Sequence, residues 1–533
     1  MVVVTEAETV AGSTTASTWA PLRHRIFLGL WIAQLASAVG SFMQNVGAAW
    51  LMGDLGASAL AVASIQAATT FPIVLVGLPA GALADLFDRR RLLIVAQLGM
   101  LIAAGGLAML TFADRVTPAT LLALTFVLGL GMALTMPAWQ AIQPDLVPHE
   151  LFPQAISLGS VSANIGRAAG PALGGLGVAA GGPELVFLIN ALSFLGVVLV
   201  LLLWHPEARL HTGPRETLSG AIRAGLRYGA HSRALRAVLV RTALFVPPGS
   251  AILALLPVIV RGPLDLGAAG FGVLYGCFGV GAIAGALVLA RVRVRASADG
   301  VMAASAIATA LALVGLAAIH IPAVAAVALL IGGAGWTLGI SMLNVTAMAC
   351  LPGWVRARGL ALTMLVSMGV VAISSIGWGA LADLGLTRAL AIAAATAALP
   401  VLAVLRWPLG PYERLDMSTA APWPAPVAVP QHEPGRRPVL VTVTYLVQPE
   451  AQDRFTDAMR TVERLRRRTG ARRWDLWRDV ANPNSYVESF VVESWDEHLR
   501  QHQRVTATDE LITNALIEFH DQTTAAQHFI SAY

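Results

Sequence analysis

The sequence predicts an all-α membrane body of two six-helix pseudo-repeats, followed by a C-terminal α+β soluble domain. Three observations carry this expectation. First, 56% of the 533 residues are hydrophobic and 13% are charged, about half the charged fraction of soluble domains. So few charges cannot cover so large an apolar excess, which excludes an ordinary soluble enzyme. Second, twelve apolar stretches have the length needed to cross a bilayer, about 20 residues. They centre near Ala38, Thr70, Ile102, Gly129, Gly166, Phe194, Pro247, Gly279, Leu311, Trp336, Met368 and Thr396. Third, the charges divide the chain. From Val439 onward there are 11 Arg and 14 acidic residues, net −3; before it there are 25 Arg and 17 acidic residues, net +8.

In chain order, residues 1–22 form a polar N-terminal tail without a signal-peptide pattern. A first six-helix bundle spans 23–205. A basic central loop occupies 206–236, and a second bundle spans 237–407. A Pro/Ala-rich linker covers 408–438, and a soluble domain covers 439–533. Arginines set the orientation, since loops on the cytoplasmic side collect positive charge. Arg23, Arg25, the run Arg89–Arg91, the group from Arg209 to Arg236, Arg291–Arg295, Arg356, Arg358, Arg406 and Arg414 all fall on one face; Arg115, Arg261 and Arg388 fall on the other. Both termini are therefore expected in the cytoplasm, with the protein in the plasma (inner) membrane.

The body repeats at an offset of roughly 205 residues, about the length of six spans with their turns. Gly81-Ala82-Leu83 before Arg89–Arg91 matches Gly285-Ala286-Leu287 before Arg293 and Arg295, and Ala141 and Ala155 align with Ala347 and Ala361. A repeat of this kind places a substrate site near mid-membrane between the halves.

Polar residues within the spans mark that site. Gln34, Ser37, Ser41, Gln44 and Asn45 form one stripe on the first span, because residues three, four and seven apart share a helix face. Arg167 falls mid-span, where an arginine costs about 2.5–3.5 kcal/mol to insert; it is expected to face a cavity, with Asn164 one turn away. Two roles stay open for it: a cation for an anionic substrate, or a brace on backbone carbonyls. Trp336 and Asn344 join the candidate lining, with Asn190, Ser341, Ser367 and Trp378 as weaker members. The acids nearest the spans, Asp54, Asp85, Glu184 and Asp383, sit near span ends. No P-loop is present, which argues against ATP drive. Cys277 and Cys350 lie in apolar stretches without metal or disulfide spacing.

These residues carry a resemblance. Gly81-Ala82-Leu83-Ala84-Asp85-Leu86-Phe87-Asp88-Arg89-Arg90-Arg91 resembles the signature turn between spans two and three of the major facilitator superfamily, although Leu86 and Asp88 depart from it. Pro137–Ala141, Pro144–Pro148 and Asn164–Gly175 are similar to its siderophore-exporter-like, or transmembrane secretion effector, branch. The resemblance implies a conformational latch at Gly81, Asp85, Arg89 and Arg90, with the Asp85 carboxylate accepting N–H groups at the start of the eleventh span. It also implies an antiporter-like motif at Gly166, Gly170, Pro171, Gly174 and Gly175, and proton coupling. The expected activity is secondary-active export of a small secreted metabolite, siderophore-like or antibiotic-like, by alternating access. Alternatives are uptake, lipid translocation, or a membrane-anchored cofactor-free monooxygenase or sensor with the C-terminal domain as active unit. Expected partners are a small-molecule substrate of anionic character, protons, the lipid bilayer and a second copy of the C-terminal domain; no nucleic acid, cofactor, metal or catalytic residue is expected.

In that domain the pattern strand (439–447), helix (450–469), strands (474–480 and 486–494), helix (496 to about 520) and a short strand at 528–530 reads as ferredoxin-like, similar to antibiotic-biosynthesis-monooxygenase-like domains. His498 and His502 stand four apart on its second helix, at the spacing of a metal pair, with no third ligand evident.

Overall fold

A computed structural model describes residues 17–86, 88–204, 218–410, 416–418, 420, 437–523 and 526–531. The first bundle comprises α1 (Arg25–Asp54), α2 (Ala59–Leu86), α3 (Arg89–Phe112), α4 (Pro118–Leu146) and α5 (Phe152–Leu203). Among the described residues, eleven helices are long and apolar enough to cross a membrane. The count matches twelve expected spans because α5, at 52 residues, is two spans merged across a kink. Gly182 supplies the break, at φ 76°, a left-handed conformation that glycine adopts without a Cβ clash. The next residue, Pro183, restarts the helix.

The second bundle comprises α7 (Arg233–Arg261), α8 (Ala268–Arg295), α9 (Ala298–Ala318), α10 (Pro322–Ala349), α11 (Arg356–Asp383), α12 (Leu386–Thr396) and the short α13 (Leu399–Leu402). Preceding it, α6 (Leu218–His231) forms within the expected basic loop. It lies against the start of α11: a Cβ on Gly225 would stand 3.1 Å from Arg358, and one on Gly229 would stand 2.8 Å from Leu362.

The repeat is visible in how the halves meet. They join along α2 with α11 and along α5 with α8, and each pairing is the image of the other under the 205-residue offset. Small residues allow the close approach. A Cβ on Gly175 would stand 2.6 Å from the Cα of Gly272, and one on Gly379, its counterpart in the repeat, 2.7 Å from the Cα of Leu60.

The C-terminal domain is an antiparallel sheet covered by helices. Its strands are β1 (Val439–Val447), β2 (Arg473–Arg478), β3 (Ser485–Val492), β4 (His520–Thr523) and β5 (Gln527–Ile530), and its helices are α14 (Gln452–Thr469), α15 (Trp495–Gln503) and α16 (Ala507–Asn514). The order is β2-β3-β1-β4, with β5 also pairing to β1. Alternation decides the faces. Val441, Tyr445, Tyr486 and Phe490 point inward with Phe455, Met459 and Val462 of α14, all buried. Two details differ from the sequence expectation. The second helix stops at Gln503, where Thr506 caps a separate α16 with a reciprocal Thr506–Asp509 capping box, and residues 520–523 form an additional strand. The linker is also more attached than its Pro/Ala composition implies. Leu409 is buried and donates its N–H to Asp299 at 3.1 Å, and the backbones of Asp416, Ser418 and Ala420 bond to those of Thr508, Ala507 and Val505.

Candidate functional site

Polar residues converge inside the first bundle, and Asn45 and Thr69 among them reach its contact with the second. Gln44 is 3% exposed, and its Oε1 accepts from Asn190 Nδ2 at 3.3 Å. Ser41, Gln44 and Asn45 line one cavity with Thr69, Thr125 and Asn190. Asn45 also borders a second cavity between the halves, whose lining includes Gln66 and Thr69 of α2, Leu253 and Pro257 of α7, and Tyr275 of α8. Each holds about 20 Å³, little more than one water, so around the second cavity the halves are packed together.

Arg167 sits beside this seam. Its backbone carbonyl lies 2.6 Å from where a Cβ on Gly279 of α8 would stand, and its guanidinium acts electrostatically on Tyr275. The side chain is half-buried, and its Nε is buried without a hydrogen-bond partner. Among the described residues it has no ion-pair partner. A buried guanidinium nitrogen without a partner costs free energy that a hydrogen-bond acceptor would recover.

The other expected residues divide. Gln34 has its Oε1 buried and unpartnered. Asn164 is exposed on α5, and Asn344 is exposed on α10. Trp336 is half-buried; it stacks on Phe245 at 6.0 Å between centroids and fills the space beside Gly249. Gly166, Gly170 and Gly174 let α5 approach α1 at Ala38, Phe42 and Met43, whereas Gly175 and Pro171 meet α8 of the other half. The surroundings of Gly81 and the side chain of Asp85 lie outside the described residues. Arg89 stands 3.8 Å from Asp145. Arg90 donates to the carbonyls of Leu201 and Leu202 at 2.7 and 2.9 Å; it braces the last turn of α5, where helix carbonyls lack partners. That gives Arg90 a bracing contact within the first half.

Contacts at the arginine-poor face escaped the sequence reading. Arg261 at the end of α7 bonds Asp54 at the end of α1 at 2.8 Å, bonds the Trp50 carbonyl at 3.1 Å, and lies 4.1 Å over the Trp50 ring. Asp383 at the end of α11 accepts from the N–H groups of Ala59 and Leu60 at 2.7 and 3.3 Å. A carboxylate there satisfies orphan donors and meets the positive end of the helix dipole. Both sets join the two halves. Their signal was present as acids at span ends, but only the fold pairs them.

In the C-terminal domain, Glu488 is fully buried and accepts from Arg466, Tyr445 and Trp474, at 2.9 Å each. Burial pushes its carboxyl up, but Arg466 and these donors more than offset that and hold it below its ordinary range. His498 is 2% exposed. Its Nε2 lies 2.9 Å from Nε2 of His528, and its ring stands 4.8 Å from that of His502. Burial, with the neighbouring histidines, lowers it to about 3, so it is neutral at neutral pH. No group of three metal-ligating side chains suited to a metal is found among the described residues.

The domain is fastened to the second half. Glu497 accepts from Arg227 of α6 at 2.9 Å and from Arg504 at 2.6 Å. The Arg504 guanidinium lies 4.6 Å over the ring of Trp354, in the turn between α10 and α11. Arg468 faces Tyr228 of α6, whose hydroxyl donates to the Cys350 carbonyl at 3.3 Å.

Among the described residues, eleven membrane-length helices, one of them two spans joined at a kink, build two related halves, the architecture of the major facilitator class. The family model of the transmembrane secretion effectors matches residues 16–532, and the chain belongs to that family. It is similar to a staphyloferrin A transporter of Staphylococcus aureus, 26% identical over 50% of this chain and 64% of that protein. It is also similar to the multidrug efflux pump Tap of Mycobacterium tuberculosis, 28% identical over 41% and 55%. The matches thus span roughly half to two thirds of these relatives. Among solved structures, a bacterial homologue of the human lysosomal transporter Spinster, inward-facing and unoccupied, shares the fold at 15% identity and TM-score 0.56, covering 74% of this chain and 96% of that one. A bacterial homologue of the iron transporter ferroportin, inward-facing, gives 16% identity and 0.54, covering 72% and 98%.

Proposed function

We propose that the protein exports a small anionic metabolite, siderophore-like or antibiotic-like, by alternating access coupled to protons. The observation that carries the substrate charge is Arg167, with its buried unpartnered Nε beside the seam. The staphyloferrin A transporter and the Tap efflux pump support the substrate class and the direction. With the arginine-rich face in the cytoplasm, halves joined at the opposite face correspond to a state that loads substrate from the cytoplasm. Release then requires the Asp54–Arg261 and Asp383 contacts to part.

Arg167→Gln tests the reading. An anion contacting it loses a charge-assisted hydrogen bond, about 1.5–3 kcal/mol, so half-saturation for an anionic substrate rises about tenfold or more. A neutral substrate is little affected. Transport into inverted membrane vesicles, normalised to folded protein, separates the two; equal losses for both remove Arg167 from the substrate site.

The latch expected at Gly81, Asp85, Arg89 and Arg90 remains part of this proposal, acting at the cytoplasmic mouth. So does dimerisation of the C-terminal domain through its uncovered sheet face, where Leu440, Leu446, Trp477 and Phe529 are exposed.

A further inference from the structure

We propose that the pocket between the start of α7 and the exit of the chain from the last span binds the phosphate of an anionic phospholipid. The pocket, about 200 Å³, is lined by Arg233, Ala237, Arg406, Trp407, Pro408 and Gly410. Its base is fixed. Arg241 is 1% exposed, bonds Asp299 at 3.0 Å and donates to the Trp407 carbonyl. Asp299 in turn holds the Leu409 N–H. One acid and one buried arginine thus neutralise each other beneath the pocket and fix Trp407 in place.

The rim is left positive. Arg406 lies 5.5 Å and Arg236 6.0 Å from the Trp407 ring centroid, and Arg233 opens α7 beside them. These three arginines are exposed and make no ion pair among the described residues. A cluster of cations around an interfacial tryptophan, on the face that collects arginine, matches the headgroup level of a bilayer. Arginine also binds phosphate oxygens through paired N–H groups.

The neighbouring surface selects a lipid over a free anion. Leu402 and Leu405, just before Arg406, are 60% and 86% exposed, and they continue the bilayer-facing side of the last span. A phosphodiester with acyl chains fills the cationic pocket and covers these leucines together; inorganic phosphate gains only the first contact. The site lies apart from the seam that carries Arg167.

The test uses the full-length protein in neutral detergent. Thermal unfolding and native mass spectrometry are followed with dioleoylphosphatidylglycerol, dioleoylphosphatidylcholine and inorganic phosphate. Phosphatidylglycerol should bind at least tenfold more tightly than phosphatidylcholine, and the Arg236→Gln/Arg406→Gln variant should lose most of that preference while unfolding normally without lipid. Arg291→Gln/Arg295→Gln, two arginines elsewhere on the same face, should keep it. Equal binding of the two lipids, or an unchanged preference in the first variant, overturns the proposal. Displacement of phosphatidylglycerol by millimolar inorganic phosphate assigns the pocket to a free anion and also overturns it. If the first variant unfolds without lipid, Arg406→Lys, which keeps the charge and loses the fork, must show an intermediate preference for the site to stand.

Discussion

The contacts that join the two halves and those that join the C-terminal domain to the second half differ in burial, and the difference teaches which of them move. At the arginine-poor face, the side chains of Asp54 and Arg261 are 45% and 36% exposed. An exposed pair contributes about 0–1 kcal/mol, small enough to part at little cost. At the domain junction, the side chains of Arg227 and Glu497 are 18% and 11% exposed. Parting them would leave charges in a dry contact, at a cost of several kcal/mol. The first set joins elements of opposite halves; the second joins the domain to α6 and to the α10–α11 turn, which belong to one half. A contact biases a conformational equilibrium only through its different strength in the two states. Under the alternating access proposed above, the exposed set is the one that parts, and the domain moves with the second half.

The largest effect should come from Glu497→Ala. It strands Arg504 and Arg227, and breaking a buried pair from one side costs about 3–5 kcal/mol. Hydrogen exchange of α6 and α15 should rise sharply. Access of a thiol reagent to Leu253→Cys, in a background with Cys277 and Cys350 replaced, should stay near the parent level. A large change in that access would mean that the domain also controls the seam.

Asp383→Asn should give the reverse pattern. Weakening the carboxylate at the start of α2 costs about 1 kcal/mol, so the ratio of the two states shifts roughly fivefold. Leu253→Cys should label faster from the arginine-poor side, with α6 exchange unchanged. Adding Arg261→Gln should deepen the shift. Unchanged labelling in the double variant would show that glycine packing at Gly175 and Gly379 holds that face alone.

Acid should act on the domain before the halves. His498 has a folded value of about 3, below its ordinary 6.5, chiefly through burial. Burial lowers His502 and His528 in the same direction. A lowered histidine contributes stability that is present above about pH 6.5 and is lost as pH falls from there towards the folded value. Glu497 follows lower down: burial raises its carboxyl, but Arg504 and Arg227 hold it below 4.5, so the junction loses its ion pairs only as pH falls below that. The domain's unfolding midpoint should therefore drop between pH 7 and 5, with α6 still protected. A midpoint constant over that range would contradict a neutral, buried His498.

These differences also show what the sequence could reveal. Spans, repeat and the polar stripe of α1 were legible because each is a local period imposed by the bilayer. Arg167 was legible because its cost in lipid demands a seam. Asp54, Arg261 and Asp383 looked like ordinary span ends, since their meaning depends on partners some 200–300 residues away. The contact of Trp336 with Phe245 was not legible, because an aromatic ring serves a cavity wall and a helix contact equally well. Glu488 did carry a signal: alternation puts it on the inward face between Tyr486 and Phe490, where a carboxylate requires buried donors. His528 next to His498 carried none, because β5 reaches it only through pairing with β1.

The smallest effect concerns Trp354, and it separates charge from packing at the junction. Its ring lies 4.6 Å beneath the Arg504 guanidinium and meets Tyr228 edge-on at 5.7 Å. Its indole N–H is buried without a partner. Two terms therefore oppose each other in Trp354→Phe. The phenyl face attracts a cation less than indole does, a loss of about 0.5–1 kcal/mol, while removal of an unsatisfied N–H returns about 1 kcal/mol or more. The junction should hold within about 0.5 kcal/mol of the parent. Trp354→Leu removes the aromatic face entirely and should loosen the junction by about 1 kcal/mol, still well short of Glu497→Ala. Hydrogen exchange of α6 in the three variants should rank Phe near the parent, Leu intermediate and Glu497→Ala highest. If Phe and Leu loosen it equally, the indole N–H has a partner and the cation–π contact is not what seats Arg504. If Leu matches Glu497→Ala, packing at the α10–α11 turn, and not the Glu497 ion pairs, fastens the domain to the second half.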